Sequence, residues 1–157
     1  MSETTTTANG VQTVSNDFVA SSLSTIMESV KVYRKIYHDA LAGLKKANVA
    51  LTPEFEADLR GLKEIRVSVF VSTLARAGMA LHCRFGGDEE PAVAVSSISK
   101  LSSILAAAHD NDEEGLIAKK AKMFEPTLVK SINQPGEISM PTLIKICQAA
   151  NLELTVM

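Results

Sequence analysis

Apolar positions recur at helical spacing along most of the chain. Between Asp17 and Ala47, Leu23, Ile26, Val30, Tyr33, Tyr37, Ala40 and Leu44 follow a 3,4,3,4,3,4 step, the seam of a heptad pattern. Met27, Ile36 and Leu41 widen this seam to the stripe of a packed helix. A helix of that length spans about 45 Å. It reads either as a dimer strut or as one arm of a hairpin packed on the next helix. Asn48 to Pro53 breaks the pattern. Thr52 is the expected N-cap, Pro53 suits the first helical position, and Glu54, Glu56 and Asp58 favour the positive end of the dipole. Phe55, Leu59, Leu62, Ile65, Val69 and Leu74 then continue one helical stripe toward Ala77. The β-prone run Val67–Val71 leaves a break or a strand open there, with helix preferred. Gly78 reads as a helix terminator, and Met79 to Phe85 alternates like a short strand.

Gly86 to Pro91 is a polar stretch carrying three acids, and residues 87–94 read as a linker. A second helical pattern starts near Val95, with Ile98, Leu101, Ile104 and Leu105 on one face, and ends in the acidic turn His109 to Glu114. Shorter helices are expected around Leu116–Lys122, Pro126–Asn133 and Met140–Ala150. Ser139 suits the N-cap of the last, and Asn151 a left-handed stop after it. Leu152, Leu154 and Val156 alternate as a closing strand. Both halves thus end as helix, Gly or Asn stop, and strand, a hint that two edge strands pair within a chain or across a dimer.

The expected fold is therefore all-α with one or two short strands. A disordered tail (residues 1–16) precedes a helical hairpin and dimerisation domain (17–86), the linker (87–94) and a C-terminal helical domain (95–157). Composition agrees: 46% of the 157 residues are apolar, enough for a core, while aromatics are only 4% with no Trp, so that core is aliphatic. Sixteen Lys and Arg against eighteen Asp and Glu leave a net charge of −2, which excludes a general polycation but not a local basic patch. Lys31, Arg34, Lys35, Lys45 and Lys46, with His38 among them, form a basic face on the first helix, usually a solvated one. No apolar run approaches the roughly 20 residues that span a bilayer, so no membrane partner is expected. The tail lacks the basic start and apolar stretch of a signal peptide, and Cys83 and Cys147 lie far apart in sequence. Reduced thiols in a cytoplasmic protein are the simplest expectation.

Candidate chemistry is sparse. Neither cysteine has a second ligand at finger spacing, so no zinc site is expected. Asp110, Asp112, Glu113 and Glu114 lack the oxygen spacing and central Gly of a calcium loop and read as a solvated acidic turn. Gly86-Gly87 is not followed by the Lys-Ser or Lys-Thr of a phosphate cradle. His38, His82 and His109 have only sequence neighbours as partners. No cofactor, metal or catalytic residue is assigned, and no enzyme is expected.

The stretch from Ile117 to Val156 does carry a pattern. Ile117, Ala118 and Ala121 would pack one short helix on the next, Met123 is the apolar residue of the turn, and Leu128 and Ile132 anchor the following helix. Leu143, Ile146 and Cys147 close the core. This segment resembles the repressor-type helix-turn-helix of the lambda repressor and Cro class, and is most similar to the addiction-module antidote proteins. With the helical pattern that starts near Val95, the resemblance covers about 60 residues of the C-terminal half and none of the first 90. It implies that the third helix of the domain enters the major groove, with Glu125, Thr127, Lys130, Ser131, Asn133 and Gln134 as base-contacting residues. Lys119, Lys120 and Lys122 would contact phosphates. Three departures stand out. Lys122 occupies the place of the family's turn Gly, Glu114 that of a common phosphate-contacting Gln, and Glu125 opens the reading helix with a negative charge. Residues 95–157 also hold six basic and seven acidic side chains.

The expected function is a sequence-specific DNA-binding transcriptional regulator, a dimeric repressor or antidote-like autoregulator. Its expected partners are double-stranded DNA, a second copy meeting it along the seam Leu23, Ile26, Val30, Tyr33, Tyr37 and Leu44, and a toxin or other protein. The alternative is a helical interaction or assembly module in which the helix-turn-helix is only a scaffold.

Overall fold

The computed structural model of the protein describes residues 16–86 and 91–157, with side chains from residue 27 onward. The expected disordered tail lies outside the described residues, except for Asn16, which opens the first helix. The elements in chain order are α1 (Asn16–Lys46), α2 (Pro53–Arg60), α3 (Val67–Ala75), β1 (Leu81–Phe85), β2 (Val93–Ala94), α4 (Ile98–Asp110), α5 (Leu116–Ala121), α6 (Glu125–Asn133), a 3-10 turn (Pro135–Glu137), α7 (Met140–Ala149) and β3 (Leu152–Val156). The fold is mainly helical with one small antiparallel sheet, ordered β2-β1-β3. It has three strands where one or two were expected. β2 lies inside the predicted linker; its two residues show no alternation of their own and exist as strand only by pairing with His82 and Cys83.

The chain divides into two units, residues 1–31 and residues 32–157. The division does not fall at the expected linker. Within residues 32–157, Ile36, Tyr37, Leu44, Phe70 and Leu74 from the first half share one buried cluster with Leu101, Leu105, Leu128, Leu143 and Ile146 from the second. Backbone bonds join them at two places remote in sequence. Strand β1 runs antiparallel to β3, placing Leu81 opposite Val156, Cys83 opposite Leu154 and Phe85 opposite Leu152. Just outside the strands, Ala80 and Met157 exchange both backbone bonds, at 2.9 and 3.1 Å. On the opposite face of the sheet Arg84 pairs with Glu153. The second place lies at the start of α3, where Val67 N–H donates to the Ile138 carbonyl (2.9 Å) and Met140 N–H to the Ile65 carbonyl (2.8 Å). Gly136 sits where that contact is tightest. A Cβ there would lie 3.3 Å from both Ile98 Cγ2 and Ser68 Cβ.

The single helix expected from Pro53 to Ala77 is broken into α2 and α3. Leu62 takes the left-handed conformation (φ +53°), and Lys63 N–H closes back on the Asp58 carbonyl at 2.9 Å. The break is stabilised from outside. The Tyr33 hydroxyl donates to the Leu62 and Lys63 carbonyls at 2.6 Å, and the Tyr37 hydroxyl to the Lys63 carbonyl at 2.8 Å. These carbonyls would otherwise lack partners at a helix end. Val67–Val71 is helical despite its β-prone residues, because the helix buries Val67, Phe70 and Leu74 on one side. Thr52 caps α2 as expected, accepting from Phe55 N–H at 3.1 Å.

The heptad seam of α1 is largely taken up by the chain's own core. Tyr37 is only 1% exposed, and its ring stacks on Phe70 at a centroid distance of 5.4 Å. Leu44 is equally buried, and Tyr33 is half-buried and bonded as described. These three do not line a free dimer surface. The side chains of Leu23 and Ile26 lie outside the described residues.

Burial also sets the thiol chemistry. It pushes the Cys83 thiol up from 9.0 to about 11 and holds the Cys147 thiol well above its ordinary value, with Cys83 nearby adding to the effect. A raised folded-state value stabilises the protein fully below the unfolded value and is lost as pH climbs through the folded one. Unfolding free energy measured with denaturant should hold up to about pH 9 and then fall toward pH 11, by up to about 3 kcal/mol from Cys83. A Cys83→Val variant should show a shallower decline. An unchanged alkaline slope would contradict the burial argument.

Candidate nucleic-acid interface

Helix α5 starts from the acidic turn, and one of its acids has a definite structural role. The Asp112 carboxylate accepts from Leu116 N–H at 2.8 Å and Ile117 N–H at 3.0 Å, capping the helix. Gly115, just before it, is left-handed at φ +66°. Ile117, Ala118 and Ala121 are buried, and the helix packs on α7, where Ser139 provides the expected N-cap. Lys119 and Lys120 fall on the other side and are exposed.

The turn Lys122–Phe124 follows. Lys122 occupies the left-handed region (φ 56°, ψ 47°), so a non-Gly residue holds the conformation that Gly would take at lower cost. Met123 N–H reaches back to the Ala118 carbonyl at 2.9 Å, completing the helix stop. The same stop, a left-handed residue followed by an N–H reaching back five positions, ends α1 at Asn48 and the segment before β1 at Gly78. Met123 packs partly buried against the core, while Phe124 is 83% exposed.

Phe124 is the N-cap residue of α6, with no side-chain capping bond. Leu128, Ser131 and Ile132 are the buried face of the helix. The Ser102 hydroxyl of α4 donates to the Ile132 carbonyl at 2.7 Å, fixing the far end. At the near end the His109 ring meets the Glu125 carboxylate at 2.6 Å. His109 therefore acts as a partner for the acid that opens α6.

Of the residues expected to contact bases, Glu125, Thr127, Lys130, Asn133 and Gln134 are exposed. Ser131 is corrected. It is 5% exposed, and its hydroxyl donates to the Thr127 carbonyl at 2.9 Å, because it falls on the same side as Leu128 and Ile132. Lys119, Lys120, Lys122 and Lys130 are all exposed, and none forms an ion pair with another described residue. Phe124 carried no assignment from the sequence. The only sequence signal was its place between the turn residue Met123 and the start of α6.

Among the described residues no group of three or more His, Cys, Asp or Glu side chains is arranged to hold a metal. No helix among them is long and apolar enough to cross a membrane. In unit 1, Met27 and Val30 are exposed, at 62% and 37%. Comparison with known proteins gives no match to a family model, a curated protein or a solved structure.

Two substitutions should move stability in opposite directions, read by thermal or denaturant unfolding. Lys122→Gly relieves the left-handed conformation and should stabilise by about 0.5–1 kcal/mol. Asp112→Ala leaves two N–H groups without their cap and should destabilise by about 1 kcal/mol. Loss of stability in Lys122→Gly would show that the turn is not held as described.

Proposed function

We propose that this chain is a sequence-specific DNA-binding transcriptional regulator of the repressor or antidote kind, acting as a homodimer in the cytoplasm. One observation carries it. α6 is anchored by Leu128, Ser131 and Ile132, and its Thr127, Lys130, Asn133 and Gln134 stand in solvent beside three more exposed lysines of α5 and the turn. Asn, Gln and Thr recognise base edges, and Lys reaches guanine or phosphate. Lys119, Lys120 and Lys122 supply the sequence-independent grip on the backbone. The Glu125 carboxylate, repulsive to phosphate, is partnered by His109. The homodimer uses the α1 seam, of which Val30 is exposed, and a two-fold symmetric reader calls for half-sites about 34 Å apart on one face of the duplex.

The exposed apolar side chains Leu116, Phe124 and Val129 favour a second function, a protein-interaction module that uses this surface for a toxin or other partner. DNA separates the two. In the regulatory reading the protein shifts duplex DNA from its own upstream region at low salt, and log K falls with log salt at a slope near −0.9 per phosphate contacted, about −3 to −4 per protomer for four lysines. Lys119→Ala should reduce that slope by about 1 without altering sequence preference. Lys130→Ala with Asn133→Ala should lose discrimination while folding is retained. Absence of any shift at low salt would leave only the interaction module. Val30→Glu tests the dimer: an unchanged size in solution would remove the proposed seam.

A further inference from the structure

Phe124 has the highest exposure of the large apolar side chains among the described residues. It contributes little to folding. It has no side-chain oxygen to cap α6, a service worth about 1 kcal/mol when Ser or Thr provides it, and its ring is not part of the core. Only its backbone takes part, its carbonyl accepting Leu128 N–H at 3.0 Å. Met123, the residue before it, is the one that packs against the core. The Phe124 backbone is extended (φ −73°, ψ 143°), and Pro126 lies in the first turn of α6. The protein thus holds an aromatic ring in solvent at the leading end of the helix, with exposed Pro126 and Thr127 beside it.

Charge selects the occupant. Lys119, Lys120 and Lys122 precede Phe124 and Lys130 lies in the last turn of α6; all four are exposed and lack ion-pair partners among the described residues. A polyanion with a groove wide enough for a helix satisfies them, and the duplex major groove is such a site. In that groove guanine and adenine present polar edges and cytosine an amino group beside a bare C5–H, whereas thymine carries a methyl group. A ring pressed on the polar edges would desolvate them without replacing their hydrogen bonds. Against the methyl group it buries apolar surface on both sides.

Given α6 as the DNA-reading helix, on which this rests, we propose that Phe124 is a specificity-determining residue that reads thymine, its ring packed on the 5-methyl group of one thymine in each half-site. Thr127, one helical turn further on, and Lys130, nearly two turns on, then face the neighbouring base pairs. The operator is therefore expected to hold a fixed thymine at the position met by the start of α6.

The test uses the full-length protein and duplexes enriched from a random pool at low salt. Each thymine of an enriched duplex is replaced singly by deoxyuridine, which removes the methyl group and nothing else. One replacement per half-site should weaken binding about 3- to 10-fold. Phe124→Ala should weaken binding to the thymine duplex by a similar factor and be indifferent to that replacement. Phe124→Leu should retain part of the discrimination. With so exposed a ring, both variants should keep the wild-type melting temperature. Enriched duplexes that bind equally well with deoxyuridine at every position would overturn the proposal while leaving the DNA-reading function intact. So would a Phe124→Ala protein with wild-type affinity and methyl discrimination, including one that fails only in binding a protein partner. Failure to enrich any duplex would overturn the DNA-reading function itself, and this proposal with it.

Discussion

The pairing of β1 with β3 is the constraint on which the rest of residues 32–157 depends. It joins segments about seventy residues apart in sequence and sets Leu81 and Cys83 against Val156 and Leu154. A one-residue slip would turn every one of those side chains to the opposite face. With β3 fixed, α7 is fixed through the short stop at Asn151, which is left-handed at φ 58°. Helix α7 in turn seats α5, and the stop at Lys122 sets where the chain emerges to begin α6. The exposed face of α6 thus inherits its position from a strand pair remote in sequence.

A second contact reinforces the first. The backbone exchange of Ile65 and Val67 with Ile138 and Met140 ties the break between α2 and α3 to the segment that leads into α7. The tyrosines of α1 complete that break by donating to its free carbonyls. Aromatics are few in this chain, yet Tyr33, Tyr37 and Phe70 sit together at this junction. Their rings bury apolar area while two hydroxyls satisfy the backbone, which an aliphatic core could not do.

The surface around α6 shows two opposing tendencies. Its exposed lysines, amide side chains and helix geometry suit a phosphate backbone and base edges, while the acids of residues 110–114 and Glu125 oppose them. The structure reduces that opposition locally. Asp112 is occupied in capping α5, and Glu125 is held by His109. The net charge of the half therefore understates what the helix face can attract, because charge acts through position as well as sum.

Most elements were legible in the sequence because they rest on local rules. Heptad and helical spacing located α1 and α4, Thr52 and Ser139 marked helix starts, and Gly78 and Asn151 marked stops, since capping and left-handed preference act over a few residues. Alternation located β1 and β3. Tertiary contact decided the remainder. The break at Leu62 carries no glycine or proline at the left-handed position and exists because distant tyrosines stabilise it. β2 has no pattern without β1 beside it. Tyr33, Tyr37 and Leu44 read as a seam for a second copy, because apolar spacing shows that a face is buried but not against what. Ser131 looked available since its polarity suggests solvent, yet helix phase places it inward with Leu128 and Ile132. Phe124 drew no assignment, because an apolar residue between Met123 and Pro126 shows no side of its own. The structure places Met123 against the core and leaves the Phe124 ring in solvent, after a turn at the left-handed Lys122.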